Sequence, residues 1–344
     1  MLSVGIIGGS GYLGKNLIRF CNQHPFIENF EVYGNSSAEN FIGNIFPDFD
    51  GIIENKQIIN IHNLSYSHDI YLLALPHEEA IKLVPSIIDS GKKVIDLSGD
   101  FRLDSAEKYI EWYNFEHKAA GLLKKKIYGL ADVYNEEYDK ANLIANPGCY
   151  PTAALLSLLP LIKSMSGKIS SVSIVAYSGT SGAGKSPKTE LLLSEMDGNA
   201  KAYNVHTHRH EPEILQQLEK HGFNSDFSFT THLLPIDVGI YSTANVFLSE
   251  EADENNILEI YNDFYSTSSF VRLRNSPPQL KWVVGTNFCD INISVRRNSI
   301  IITAAIDNLI KGGAGQAIQN LNKLFGWDET TGILNYRGKD VQIY

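Results

Sequence analysis

The segment Asn146-Pro147-Gly148-Cys149-Tyr150-Pro151-Thr152 sets one thiol just ahead of an apolar run. Residues 153–162 are predicted to be helical, and Pro151 suits a first turn, where its missing N–H removes no intrahelical bond. A cysteine at a helix N-terminus lies in the positive end of the macrodipole, which favours thiolate over thiol. Taken alone, such a residue serves more often as a small buried hydrophobe than as a nucleophile. What decides between the two uses is whether the chain supplies partners for a thiolate.

Histidines are the first candidates. Tyr203-Asn204-Val205-His206-Thr207-His208-Arg209-His210-Glu211-Pro212-Glu213 holds three in five positions. Without a nearby cysteine or a second ligand cluster this spacing is no zinc site, and no metal is expected. A histidine presented to Cys149 could pair with the thiolate and then shuttle a proton. The alternative is a set of surface histidines before the helix that Pro212 would begin. Arg102, in Ser98-Gly99-Asp100-Phe101-Arg102, could clamp a phosphate or carboxylate through its planar fork, or simply pair with Asp100 or Asp104.

These groups need a scaffold. A short apolar strand over residues 2–7 runs into Gly8-Gly9-Ser10-Gly11-Tyr12-Leu13-Gly14 and then an amphipathic helix over 15–21. Gly8, Gly11 and Gly14 form a variant dinucleotide fingerprint: one glycine for the tight turn, one for backbone approach to a pyrophosphate, one for helix–strand packing. The helix N-terminus adds N–H groups for the phosphates. A second strand at 30–34 leads to Asn35-Ser36-Ser37, where an acidic residue would select NAD; small polar groups leave room for a 2′-phosphate and lean toward NADP. Further strands at 69–75 and 93–97, with a helix opened by Pro76-His77-Glu78, complete the pattern of a doubly wound sheet. Its strand carboxyl ends would carry the ligand residues. Beyond Cys149, strands at 172–177, 227–234, 242–248 and 299–306 point to a mixed or antiparallel sheet in a separate α+β domain.

One motif points elsewhere. Gly179-Thr180-Ser181-Gly182-Ala183-Gly184-Lys185-Ser186 fits the phosphate loop of nucleotide hydrolases, follows a strand and precedes a helical stretch at 189–196; Asp307 could be offered as its magnesium partner. The same loop could instead cover a nicotinamide, with Ser181 and the loop amides as ligands.

At 344 residues two domains are expected, and the net charge of −10 argues against a nucleic-acid partner. Three cysteines, Cys21, Cys149 and Cys289, give no disulfide framework. No apolar run reaches membrane-spanning length and the first residues begin a strand rather than a signal peptide, so a cytoplasmic protein is expected.

Together the glycine fingerprint, Ala74-Leu75-Pro76-His77, Ile95-Asp96-Leu97-Ser98-Gly99-Asp100-Phe101-Arg102, the Asn-Pro-Gly-Cys-Tyr-Pro segment, residues 178–185, His208-Arg209-His210-Glu211-Pro212-Glu213-Ile214, Gly285-Thr286-Asn287-Phe288-Cys289-Asp290 and Asp307-Asn308-Leu309-Ile310-Lys311-Gly312 resemble the N-acetyl-gamma-glutamyl-phosphate reductase family, relatives of aspartate-semialdehyde dehydrogenase. The resemblance runs nearly end to end. It implies an α/β fold with an N-terminal Rossmann-type domain over 1–148, an α+β catalytic domain of the glyceraldehyde-3-phosphate-dehydrogenase type over 149–324, and a return of 325–344 to the first domain. It implies an NADP-dependent oxidoreductase of arginine biosynthesis acting on a small acyl phosphate through a Cys149 thioester, with His208 or His210 as acid/base. Gly8, Ser10, Gly11, Tyr12, Leu13, Ser36, Ser181, Gly182, Gly184 and Asn308 would contact the cofactor, and Arg102, Ser98 and Asn146 the substrate. The glycine-rich loop is then this family's own. A homodimer or homotetramer is expected. One departure stands out: where the family usually carries an Arg before Gly-Ile, this chain has Val238 before Gly239-Ile240, which leaves room for a related acyl phosphate, such as carrier-bound aminoadipyl phosphate.

Overall fold

The computed structural model describes residues 1–53, 55–134 and 138–334. The chain divides into two compact units, one of Met1–Pro147 with Gly313 onward, the other Gly148–Gly312.

In the first unit seven strands form one parallel sheet in the order β3-β2-β1-β4-β5-β7-β6. These are β1 (Leu2–Ile7), β2 (Ile27–Gly34), β3 (Ile59–Asn60), β4 (Ile70–Leu73), β5 (Lys93–Asp96), β6 (Ile127–Tyr128) and β7 (Leu143–Ala145). The residues Ile70 to Leu73 are all fully buried, as expected of a parallel strand covered on both faces. Strand order reverses at β1 and β4, so the carboxyl ends of these two strands flank the switch point where such sheets bind ligands. The first helix spans Tyr12–Gln23, longer at both ends than its apolar stripe alone indicates, and buries Leu17, Ile18, Phe20 and Cys21. Cys21 is thus a core residue, its thiol pushed far up by burial. The chain re-enters this unit at Gly313, earlier than residue 325, because the helix Gly315–Leu324 is buried along nearly its whole length and anchors here through Asn320 on Gly129 and Asn146. Residues 335–344 of the expected returning segment lie outside the described residues.

The second unit has a mixed seven-stranded sheet, order β12-β13-β14-β11-β8-β10-β9. Its strands are β8 (Ile169–Ser178), β9 (Lys201–Tyr203), β10 (Asp226–Leu233), β11 (Ile240–Leu248), β12 (Val271–Leu273), β13 (Cys289–Arg296) and β14 (Ser299–Ile306). β8 and β10 run parallel, as do β12 and β13; the remaining pairs are antiparallel. Alternation is clean along β8, with Val172, Ile174 and Ala176 buried and Ser173, Val175 and Tyr177 partly exposed. The partly exposed face continues through Thr243 and Thr303 to Phe247 and Ile301, 43% and 42% exposed.

Against the buried face packs the helix Cys149–Met165. It runs straight through Pro160, which removes the N–H that would bond the carbonyl of Leu156 and crowds the turn before it. Two tyrosines supply replacements: Tyr265 donates its hydroxyl to the Leu156 carbonyl at 2.5 Å and Tyr261 donates to that of Ser157 at 2.6 Å. Tyr261 lies in the last turn of the helix Glu254–Phe264 and Tyr265 caps it, so the end of one helix completes the hydrogen bonding of the other.

Candidate active site

The buried helix begins at Cys149 itself, four residues ahead of the start that its apolar run suggests. The half-buried thiol therefore stands in the first turn, where unpaired N–H groups and the dipole favour negative charge. Two contacts fix the turn. Thr152 donates both its amide and its hydroxyl to the Gly148 carbonyl at 2.9 Å. The Gly148 amide in turn donates to Oε1 of Glu213 at 2.9 Å, and Glu213 is fully buried.

Glu213 comes from the helix His210–Glu219, which also positions the histidines. Tyr150, next to the thiol, packs its ring against His208 at 5.3 Å and His210 at 5.9 Å between centroids. Tyr203 and Phe229 close around His208, and the hydroxyls of Tyr150 and Tyr203 meet at 2.9 Å. Burial pushes the Tyr203 hydroxyl up to about 12 and that of Tyr150 further, so both stay neutral. The turn ahead of His208 holds Asn204 and His206 at φ of 47° and 59°, a left-handed conformation costly for residues with a Cβ and retained here where it aims a buried side chain. His206 and Arg209 face solvent.

His208 is 8% exposed, and burial, then the charge of Arg209, push its pKa down to about 4. Its Nδ1 accepts the backbone amide of His210 at 3.1 Å. An amide can only donate, so Nδ1 is the bare nitrogen and the neutral ring carries its proton on Nε2. Burial thus disfavours an imidazolium at His208, and with Nδ1 accepting, the neutral ring offers a donor at Nε2. His210, half-buried, opens the following helix.

In the first unit the glycine turn has the shape the fingerprint requires. Gly8 has φ of +86°, and a Cβ there would strike the Ala74 carbonyl; a Cβ on Gly14 would fall 2.6 Å from the Gly8 carbonyl oxygen. Gly11 caps the helix without a side-chain bond; Ser10 lies in the turn before it, and Tyr12 and Leu13 present first-turn amides. At the end of β2, Ser36 is exposed, while the hydroxyl of Ser37 is buried with no hydrogen-bond partner among the described residues.

The residues expected to hold substrate gather at the carboxyl ends of β5 and β7, but much of their bonding is internal. Arg102, 7% exposed, donates Nε to the Asn146 carbonyl at 2.9 Å and Nη2 to that of Leu97 at 2.7 Å. Ser98 donates its hydroxyl to Asp96 at 2.8 Å and accepts the Asp100 amide. Asn146 is 1% exposed, donates to the carbonyls of Pro147 and Gly313 and accepts from Asn320. Asp100 accepts the amides of Glu78, Ala80 and Ile81 at a helix start, and Asp104 pairs with Lys126.

The loop carrying the phosphate-loop pattern does not form a phosphate cradle. Thr180–Ala183 is a short 3₁₀ turn, Gly184 turns with φ of +85°, and no helix starts at Lys185. The stretch at 189–196 is broken into Thr189–Leu191 and the single turn Leu193–Met196. Asp307, offered as a magnesium ligand, spends its carboxylate on the amides of Gly285, Leu309 and Ile310. The loop is instead braced on the segment before β11: Gly179, Thr180 and Ser181 donate to the carbonyls of Gly239, Ile236 and Asp237. Asn308 locks this arrangement, accepting the Gly239 amide at 2.6 Å and donating to the Ser181 hydroxyl at 3.1 Å. Gly182 lies beside them, where a Cβ would sit 3.1 Å from the Ser178 hydroxyl.

A family model for the semialdehyde dehydrogenase NAD-binding domain matches residues 3–141, and one for the semialdehyde dehydrogenase dimerisation domain matches 149–308. N-acetyl-gamma-glutamyl-phosphate reductase of Clostridium novyi (strain NT) is 39% identical over 97% of this chain and 98% of its own. The reductase of that name from Campylobacter jejuni is 43% identical over 96% and 98%. The chain belongs to the N-acetyl-gamma-glutamyl-phosphate reductase family. The fold of this reductase family member is shared with aspartate semialdehyde dehydrogenase II of Vibrio cholerae, at a TM-score of 0.73 and 17% identity over 95% of this chain and 98% of that one.

Two residues of this family member carry weight that their sequence context did not announce. Glu213 lies in a quoted motif, but only the fold shows that it grips the amide preceding the thiol. Asp96, at the end of β5, is fully buried; burial first, and Asp100 second, push its pKa up to about 7. A carboxyl at the carboxyl end of a central parallel strand was the available signal for it. Among the described residues, no helix is long and apolar enough to cross a membrane.

Proposed function

We propose that the protein reduces N-acetyl-L-glutamyl 5-phosphate to N-acetyl-L-glutamate 5-semialdehyde and phosphate with NADPH, in the cytoplasm, where reducing conditions keep the thiol available; its relatives carry the name of a reductase of that acyl phosphate. The observation that carries this reading is Cys149 as the first residue of a buried helix, with a neutral His208 donor in the same aromatic cluster.

The Cys149 thiolate attacks the acyl carbon, the C–O bond to phosphate breaks, and orthophosphate leaves with its electron pair, giving a thioester. A carboxylate resists hydride where a thioester accepts it, so the covalent step divides one hard reduction into two easier ones. The bound dinucleotide supplies the hydride. Nε2–H of His208 and the first-turn amide of Cys149 are the donors for the oxyanion formed at each stage. When the second oxyanion collapses, its electrons form the aldehyde carbonyl and the C–S bond breaks, returning the thiolate. The first-unit turn of Gly8, Ser10, Gly11, Tyr12 and Leu13 fits a dinucleotide pyrophosphate, and the open, polar end of β2 at Ser36 and the unsatisfied Ser37 hydroxyl suits a 2′-phosphate. Ser181, Gly182 and Gly184 would line the nicotinamide side, with Asn308 setting their loop. Arg102, Ser98 and Asn146 would shape the phosphate-binding end as a prebuilt frame. Val238, where the family usually carries an Arg, stands in the segment that braces the glycine loop, so a related acyl phosphate is the alternative substrate.

A second copy of the chain would cover the face of the second sheet that bears Phe247 and Ile301, in a domain whose family model is described as a dimerisation domain. Buried atoms on that sheet without a partner among the described residues, Oγ1 of Thr303 and Nδ1 of His232, support a face completed by association.

The test is phosphate-dependent oxidation of N-acetylglutamate semialdehyde, followed as NADPH formed from NADP⁺. Turnover in the native protein and none in Cys149→Ala, with NADPH still bound, is the expected result. Undiminished turnover in Cys149→Ala would reject the thioester route, and turnover of only a different acyl phosphate would reject the substrate.

A further inference from the structure

We propose that Gly312 is a positioning residue for the nucleophile: its missing side chain lets the turn that carries it press directly on Cβ of Cys149, so that 312 sets where the thiol stands. The inference rests on Cys149 being the nucleophile. A Cβ built on Gly312 would lie 2.6 Å from Cβ of Cys149 and 3.0 Å from its Cα, distances at which one of the two backbones must move. The third neighbour, Cδ1 of Ile306 at 3.3 Å, is the far end of a flexible side chain and can yield.

Gly312 is not among the glycines of positive φ, so its conformation is open to alanine and only the space is denied. Neither side of the contact can give easily. On one side the Cys149 turn is held by Thr152 on the Gly148 carbonyl and by Glu213 on the Gly148 amide. On the other, Gly312 donates its amide to the Asp307 carbonyl at 2.9 Å, within the π-helical turn Ile310–Ala314, and the Asp307 carboxylate caps Leu309 and Ile310. Wide turns of this kind recur where a backbone must bulge toward a functional group. Two stiff frames thus meet at one carbon of the nucleophile, and a methyl group between them would shift the sulfur by a fraction of an ångström. Displacements of that order cost up to about 100-fold in rate when a reacting atom must be aligned.

The experiment is Gly312→Ala in the full chain. Expected are a kcat lowered by about 10- to 100-fold with KM for the semialdehyde changed by less than about threefold, and slower iodoacetamide alkylation of the Cys149 peptide with its pH midpoint moved upward. Equal kcat and an unchanged alkylation profile would overturn the proposal. Cys149→Gly/Gly312→Ala separates contact from general damage, because removing the Cβ at 149 removes the 2.6 Å contact and leaves only the 3.0 Å approach to Cα. Its melting temperature should fall below that of Cys149→Gly by clearly less than Gly312→Ala falls below the native protein; an equal drop would also overturn the proposal. Loss of the nucleophile assignment would appear differently, as activity in Cys149→Ala, and would leave the melting-temperature coupling intact.

Discussion

A histidine near a reactive cysteine is readily taken for an imidazolium, yet His208 cannot comfortably be one. Its Nδ1 already accepts the His210 amide, so a second proton would have to break that bond inside an aromatic shell. Two expectations follow for this residue. His208→Gln, which keeps a donor near the Nε2 position, should retain more kcat than His208→Ala, for which a loss of about 10²- to 10³-fold is expected from removal of one oxyanion donor; steady-state kinetics of both variants decides it. The second concerns acid. The folded pKa is below the ordinary value of 6.5, so the unfolded chain takes up the proton first as pH falls. Stability from neutral His208 is present above about pH 6.5 and is lost as pH falls from there toward 4. Thermal melts across that window should slope less steeply in His208→Gln than in the native protein. Little of this was legible beforehand: His208-Arg209-His210 marks candidates, but which ring nitrogen bears the proton depends on a backbone bond two residues away.

Among elements, the two helices that meet at the thiol hold each other through single buried bonds. Glu213 on the Gly148 amide is such a bond, and removing an acceptor from a buried donor costs about 1–3 kcal/mol. Glu213→Leu should lower the melting temperature and slow Cys149 alkylation, while Glu213→Gln, which keeps a carbonyl acceptor, should largely restore both. The strands with strong patterns could be read from sequence, β14 to the residue, because Ser299–Ile306 alternates or runs apolar throughout. β3, β6, β9 and β12 are two or three residues long and exist only through their partners, so no local period marks them. β13 differs from these: Cys289, Ile291 and Ile293 alternate inward with polar residues between, so its period is visible in the sequence itself. The Cys149 helix was placed too late and too short because only its apolar run, 153–162, marks it in sequence; Pro151 sits in the opening turn as expected, and Pro160 within the helix is repaired by Tyr261 and Tyr265. The phosphate-loop pattern misleads for the converse reason. Its letters are right, but the helix that would make them a cradle does not form.

For the whole molecule, the exposed Phe247 and Ile301 predict that Ile301→Asp shifts the protein toward monomer in sedimentation velocity at micromolar concentration, with its melting temperature then varying less with protein concentration. The plan of the chain was legible to the extent that a sheet-forming second half follows Cys149; the point of return was not, since Gly313 begins no new sequence pattern. That point has a consequence for how the protein can be cut. The side chain of Asn146 bonds both the Pro147 and Gly313 carbonyls, so the two ends at which the first unit is interrupted are neighbours. Cys149 and Gly312 touch at the corresponding ends of the second unit. Each unit therefore closes on itself, and the second has the form of a cassette spliced into the first at a single gap. A short linker from Pro147 to Gly313 should yield an autonomous dinucleotide-binding protein, and the same seam offers new termini for circular permutation of the excised half.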